Sequence, residues 1–326
     1  MAEYSVIEIG TLPGGASSTA GDIDDRGQVA GSADVAGGAN HAFLWTPPGP
    51  LEDLGTLPGG GNSGASGVAL CGLVAGQSDV PAGGGMTHAF VWSSAGGMQD
   101  IGTLPGDTGS VAVSINICGQ VAGTSSLNRL TAFVWSKSAG MVSLGVLPGF
   151  TNSGAHRINN AGQVVGYCVT DDGSQRCGFY WSGAAGIRPV KALPGGLGSE
   201  ANGINDLGEI AGSSDLGNSA EPHAVLWNRA GAAQDLGVLA GGNQSVASAV
   251  NTHGTVVGNG NCTGSGAHAF VWSARSGMRD LNALIPAHSG WVLQGAVAIN
   301  VFGQIVGVGT VNGKQHAFLL TPSCTP

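Results

Sequence analysis

The widest chemical range in this sequence sits at His156 and Arg157, an imidazole and a guanidinium in successive positions. With a carboxylate from Asp22 or Glu200 they would form a general acid/base set of the kind a hydrolase or lyase uses. No nucleophile motif, phosphate-cradling loop or metal-ligand spacing accompanies them, so the sequence predicts neither cofactor nor metal and leaves an enzyme as one alternative. A second group suits binding: Trp291 and His288 in "PAHSGW", with Asn202, Asp171 and Asp172. An indole offers a flat apolar face to the C–H side of a sugar, while planar amides and carboxylates take its hydroxyls. A third pair is Cys168 and Cys177, whose spacing across one hairpin predicts a disulfide. Cys71, Cys118, Cys262 and Cys324 receive no assigned pairing.

Five further histidines look like metal ligands until their context is read. His41, His88, His223, His268 and His316 each open a word of the type "HAFLW", and an acid recurs on the following apolar segment at Asp53, Asp100, Asp235 and Asp280. Glu8 supplies the acid for His316 if the chain closes on itself. Where the histidine becomes Thr131 or Cys177, the acid becomes Ser143 or Pro189. Columns that change together predict a cross-strand hydrogen bond that orients the imidazole, hence a structural role.

The elements that must hold these residues follow from the repeat. "LPGG" or a degenerate form begins at Leu12, Leu57, Leu104, Leu147, Leu193, Leu239 and Leu284, with spacings of 43 to 47 residues. Each unit holds four short apolar segments parted by turn residues, which predicts four strands, a to d, starting from the Ala-x-x-Ile segment. Gly numbers 60 of 326 residues, a composition that disfavours long helices. The chain opens with an isolated strand d, "VIEIGTL", and stops after a strand c, "HAFLLTP".

That complementarity predicts an all-β, seven-bladed β-propeller whose N-terminal strand, about residues 5–12, completes the last blade and covers both open edges. The blades are expected near 18–57, 63–104, 110–147, 153–193, 199–239, 245–284 and 294–322 with 5–12, as one domain spanning 1–326. A β-solenoid of the same period is the competing reading. Six of the seven tryptophans end strand c, where an indole packs between blades. The Asn of I-N-x-x-G reads as a turn former, replaced by Asp24 and Ala69, and the Ser beginning strand a as a partner for backbone groups.

The words "HAFLW", "INDLGEIAGSS" and "DLGTLPGG" resemble the HAF repeat, and the likeness covers essentially the whole chain; the four-strand rhythm is also similar to WD40 blades without their Gly-His and Trp-Asp words. HAF membership would imply a bacterial protein in an extracellular or periplasmic setting, and it brings no activity or catalytic residues. The N-terminal "MAEYSVIEIG" lacks a basic and an apolar signal region, so a cytoplasmic setting stays open.

Symmetry breaks locate the candidate site. The fourth unit departs furthest from the template, and the last unit carries an insertion around His288 and Trp291. Both fall on the face of the ring that bears the LPGG and b-to-c loops, beside the axial funnel. The leading expectation is a binding module for a glycan or other small polar ligand, with a protein-interaction scaffold as a further alternative. A net charge of -9 with 11 Lys and Arg and no basic run argues against nucleic acid. No apolar stretch is long enough to span a bilayer, and a monomer is expected.

Overall fold

The computed structural model describes residues 3–81, 86–217, 221–262 and 265–323, and Cys324 lies outside them. The strands assemble into seven antiparallel four-stranded sheets, six of them in the simple order a-b-c-d. In the seventh, Tyr4–Glu8 pairs with Lys314–Pro322, in register from Tyr4 opposite Pro322 to Glu8 opposite Phe318. The ring is closed as the repeat required, and the solenoid reading is set aside.

Every blade starts with an inner strand a: Ser18–Ile23, Ser63–Val68, Gly109–Ile115, Asn152–Ile158, Ser199–Ile204, Ser245–Val250 and Trp291–Ile299. The core is divided into wedges. Each of seven apolar clusters among the described residues joins two neighbouring blades; one unites Ala20, Val29 and Phe43 of blade 1 with Ala298, Val306 and Leu319 of blade 7. The phenyl rings of Phe43, Phe90, Phe133, Phe179, Phe270 and Phe318 are fully buried. The glycine of Q-V-V-G makes room for them: a Cβ on Gly166 would sit 2.0 Å from Gly154 O and 2.9 Å from the Phe179 ring. Trp45, Trp92, Trp227 and Trp272 are likewise buried.

Two polar columns stitch the blades. Ser110 Oγ accepts from Ala89 N of the preceding blade at 2.9 Å and donates to Gly102 O at 2.6 Å. Ser63, Ser153 and Ser245 make the same pair of bonds, and Ser199 accepts from Gly178 N and donates to Val190 O, one residue earlier than the equivalent carbonyl. The second column is a belt of amides. Asn116, Asn159, Asn205, Asn251 and Asn300 each donate from Nδ2 to the equivalent carbonyl of the next blade, at 2.9 to 3.1 Å. The last of these reaches Asp24 O, so the belt crosses the seam where the chain closes. These buried asparagines thus do more than form turns.

The expected Cys168–Cys177 disulfide is not formed. The two residues face each other in register, but both are free thiols. Cys168 replaces the serine that elsewhere binds the LPGG leucine: its Sγ accepts from Leu147 N at 3.4 Å, as Ser125 Oγ does from Leu104 N at 3.0 Å. Cys177 Sγ instead points to Gly178 O at 3.4 Å and Val190 O at 4.0 Å. Each sulfur is held by a different backbone group. Burial pushes the Cys168 thiol up to about 11 and also raises Cys177, so both stay protonated near neutrality.

Candidate functional site

Inner strand a pairs with strand b through the same irregularity in every blade. The register slips after Ala20, Ala65, Ala112, Ala155, Ala201, Ala247 and Ala296. A bulge re-aims the extra residue, and here the seven extra residues are Gly21, Ser66, Val113, His156, Asn202, Ser248 and Val297. All seven line one axial chamber of about 350 Å³ together with Arg157. The bulge ring therefore sets what the channel presents, and its two largest polar members, His156 and Asn202, sit on adjacent blades.

Arg157 and Asp22 follow the bulge by one position on opposite sides of the ring. Arg157 Nη2 donates to Asp22 Oδ1 at 2.6 Å, and Asp22 Oδ2 accepts from Val68 N at 3.4 Å. Asp22 is buried, and burial lifts its carboxyl above the ordinary range against the opposing pull of Arg157. The bridge partitions the channel. Strand a runs from the LPGG loops towards the N-x-x-G turns, so the chamber of bulge residues lies on the LPGG side. A smaller space of about 150 Å³, lined by Asn159, Asn205, Asn251 and Asn300, lies beyond Arg157.

His156 is the best-defined group in the chamber. Its Nδ1 donates to Ala201 O at 3.2 Å; a carbonyl only accepts, which fixes the tautomer and leaves Nε2 as an acceptor. Burial lowers its pKa below the usual histidine value, with Glu200 and the Ala201 carbonyl pulling the other way. Glu200 Oε1 stands 3.7 Å from Nε2, while Glu200 Oε2 accepts from Arg176 Nη1 at 2.7 Å. Arg176 lies 4.6 Å over the Tyr167 ring, whose centroid is 5.2 Å from that of His156. Tyr167 can lie there because its strand partner is Gly154; a Cβ at Gly154 would come within 2.6 Å of the ring. Asn202 Nδ2 donates to Ala247 O at 2.9 Å.

The acid/base set read from the sequence is divided into two pairs, His156 with Glu200 and Arg157 with Asp22. Trp291 corrects an expectation. The sequence places it beside the funnel as a binding surface, but it is half-buried and packs edge-on against Phe318, centroids 6.0 Å apart. The insertion that carries it extends strand a, and the extra length folds the indole back onto its own blade. His288 is exposed, and neither residue lines the axial chamber. Asp172 closes its own loop, and Asp171 ties that loop to strand a. Asp171 accepts from Asn152 Nδ2 at 3.0 Å. Asp172 accepts from Thr170 Oγ1 at 2.6 Å and Ser174 N at 3.0 Å, and these bonds hold its carboxyl down to about 2. Tyr167 and Arg176 are the site residues that sequence reasoning left out; the signal was their place in the blade departing furthest from the template.

The histidine–acid pairs lie on the strand c to strand d side, away from the axis. Nδ1 to carboxylate distances are 2.9 Å for His41–Asp53, 2.7 Å for His88–Asp100, 3.0 Å for His223–Asp235 and 2.7 Å for His268–Asp280. His316 and Glu8 approach to 3.4 Å across the closing seam.

Fold and channel define a seven-bladed β-propeller. No protein-family model and no curated protein matches the chain. Among solved structures, the β-propeller domain of the Trilobed protease from Pyrococcus furiosus, described as having an open velcro topology, aligns with TM-score 0.60 at 9% identity, over 94% of this chain and 95% of that one. One of two prolyl endopeptidases analysed for inter-domain dynamics aligns with TM-score 0.61 at 9% identity, over 98% of this chain. TolB from Acinetobacter baumannii aligns with TM-score 0.49 at 12% identity, over 78% of this chain. This chain spans 51% of the endopeptidase and 64% of TolB. At these identities the likeness is one of fold. No helix among the described residues is long and apolar enough to cross a membrane.

Proposed function

We propose that this propeller is a binding module whose axial chamber takes a small polar ligand, with one sugar unit of a glycan as the favoured class. The observation that supports it is the bulge ring, which presents a neutral imidazole acceptor, an amide and two serine hydroxyls in one chamber of about 350 Å³. His156 Nε2 would accept from a ligand hydroxyl, and Asn202 and Arg157 would contribute planar polar groups. The histidine–acid pairs are read as structural. The likeness of the repeat words to HAF proteins supports an extracellular or periplasmic setting, and the acidic balance argues against nucleic acid as the partner.

The test is a glycan array followed by calorimetry on wild type, Asn202→Ala and Trp291→Ala. Asn202→Ala should weaken binding while Trp291→Ala leaves it unchanged. A wild-type protein that binds no glycan or polyol would sink the proposal. One observation favours a second reading, a scaffold for a protein partner: the Arg157–Asp22 bridge closes the axis that a deep site would use.

A further inference from the structure

Blade 6 differs from the other histidine-bearing blades at one point. In blades 1, 2, 5 and 7 the position eight residues after the turn glycine that precedes strand b carries an aliphatic side chain, at Val35, Val80, Leu216 and Val311, and in the first three it packs on the blade core. In blade 6 that position is Cys262, packed on the equivalent cluster. Its strand b also pairs with strand c through a register slip between Asn261 and Cys262, whereas the other strand b to strand c pairings run without one. The extra residue is Gly266, on strand c two positions before His268.

The result is a donor set. One atom each from Cys262, His268 and Asp280 lies within 4.8 Å of the other two. Asp280 is already fixed: one carboxylate oxygen receives Asn282 N at 2.8 Å and Asn282 Nδ2 at 2.9 Å, the other faces His268 Nδ1 at 2.7 Å. The side chains of His268 and Asp280 are 16% and 28% exposed, enough for an ion to enter.

The geometry points to a metal site at Cys262, His268 and Asp280 that takes Zn²⁺, with thiolate, imidazole and carboxylate as protein donors and water completing the shell. A thiolate beside an imidazole selects a borderline-soft ion over Ca²⁺ or Mg²⁺, which prefer oxygen alone. Three protein donors with an open fourth position is an arrangement zinc adopts. Loading releases the Cys262 thiol proton, so affinity rises with pH. The site stands on strands b, c and d of one blade, apart from the axial chamber, and departs from the expectation of no metal. Its donors are spread over 19 residues that no familiar spacing relates.

The intact protein, reduced and freed of metal, is titrated with Zn²⁺ by calorimetry and with Co²⁺ by absorption. One equivalent should bind, and Co²⁺ should develop a thiolate charge-transfer band. Cys262→Val restores the residue that three other blades carry and should fold with an unchanged melt, lose the band and lose the one-equivalent Zn²⁺ isotherm. Asp280→Asn should weaken Zn²⁺ by roughly 10-fold or more. No tight equivalent in wild type overturns the site. So does a band that survives Cys262→Val, which would assign the ion to the exposed Cys71 or Cys118.

Discussion

Arg157 Nη2 and Asp22 Oδ1, from inner strands 135 residues apart in sequence, meet at 2.6 Å across the propeller axis. The relationship ties blade 4 to blade 1 without passing through the blades between them. Removing one partner should be costly, because it strands the other in a buried position. Arg157→Ala is expected to destabilise the fold by about 3 to 5 kcal/mol in chemical denaturation. The loss should shrink as pH falls and Asp22 takes up a proton, and Arg157→Ala with Asp22→Ala should lose less than the two single variants together. Strict additivity would show that the pair carries no coupling.

Asp24 breaks the belt of asparagines. Its Oδ1 accepts from Arg26 N and Gln28 N as an asparagine would, but Oδ2 is buried with no hydrogen-bond partner, where five other blades place an Nδ2 donor. Burial raises the Asp24 pKa, with those two backbone bonds opposing. The folded chain therefore holds this proton more tightly than the unfolded chain. Stability contributed by the protonated form is present at pH below the ordinary carboxylate range and is lost as pH rises through the raised folded value. Asp24→Asn should restore the donor, add roughly 1 kcal/mol at neutral pH, and remove this part of the pH slope. Melting curves of both proteins from about pH 4 to about pH 7 read the difference; Asp22, shifted the same way, contributes equally to both. Parallel curves would contradict the assignment.

Ser110 serves two backbone groups of the preceding blade, and its hydroxyl is the only polar atom of its side chain. Ser110→Ala leaves Ala89 N and Gly102 O in a dry site, so a loss of about 1 to 3 kcal/mol is expected. Hydrogen exchange at Ala89 should accelerate in the variant. Unchanged protection would mean that water replaces the hydroxyl.

The thiols make a chemical prediction. Cys71 and Cys118 are exposed, whereas Cys168 is buried and its pKa is pushed up to about 11. Brief alkylation of the folded protein followed by peptide mass spectrometry should label Cys71 and Cys118 and spare Cys168, which should then label as a free thiol after unfolding without reductant. Recovery of a disulfide-linked Cys168–Cys177 peptide would contradict the free thiols.

The repeat made the architecture legible in unusual detail. A strand d at one end and a missing strand d at the other sufficed to place the closure of Tyr4–Glu8 on Lys314–Pro322. The changes in step at Thr131 with Ser143 and Cys177 with Pro189 pointed to the contact that His88 and Asp100 make. The bulge that builds the chamber was not legible for a physical reason. A bulge is a property of pairing, and nothing in "GAHRIN" distinguishes a strand in regular alternation from one that spends an extra residue at His156. Trp291 differs for a related reason: the insertion before it lengthens strand a and carries the indole onto Phe318. Cys168 and Cys177 stand opposite each other as the hairpin spacing predicts, but each sulfur also meets a backbone group outside the hairpin, Leu147 N for Cys168 and Val190 O for Cys177.

Crystals of the wild-type protein soaked in a mixed panel of sugars and polyols give the most direct test of the binding role. The expected result is a sugar ring in the axial chamber, with a hydroxyl within hydrogen-bond distance of His156 Nε2 and a second at Asn202. A chamber holding only water under saturating sugar, with any bound ligand on the outer face of the blades, would contradict it.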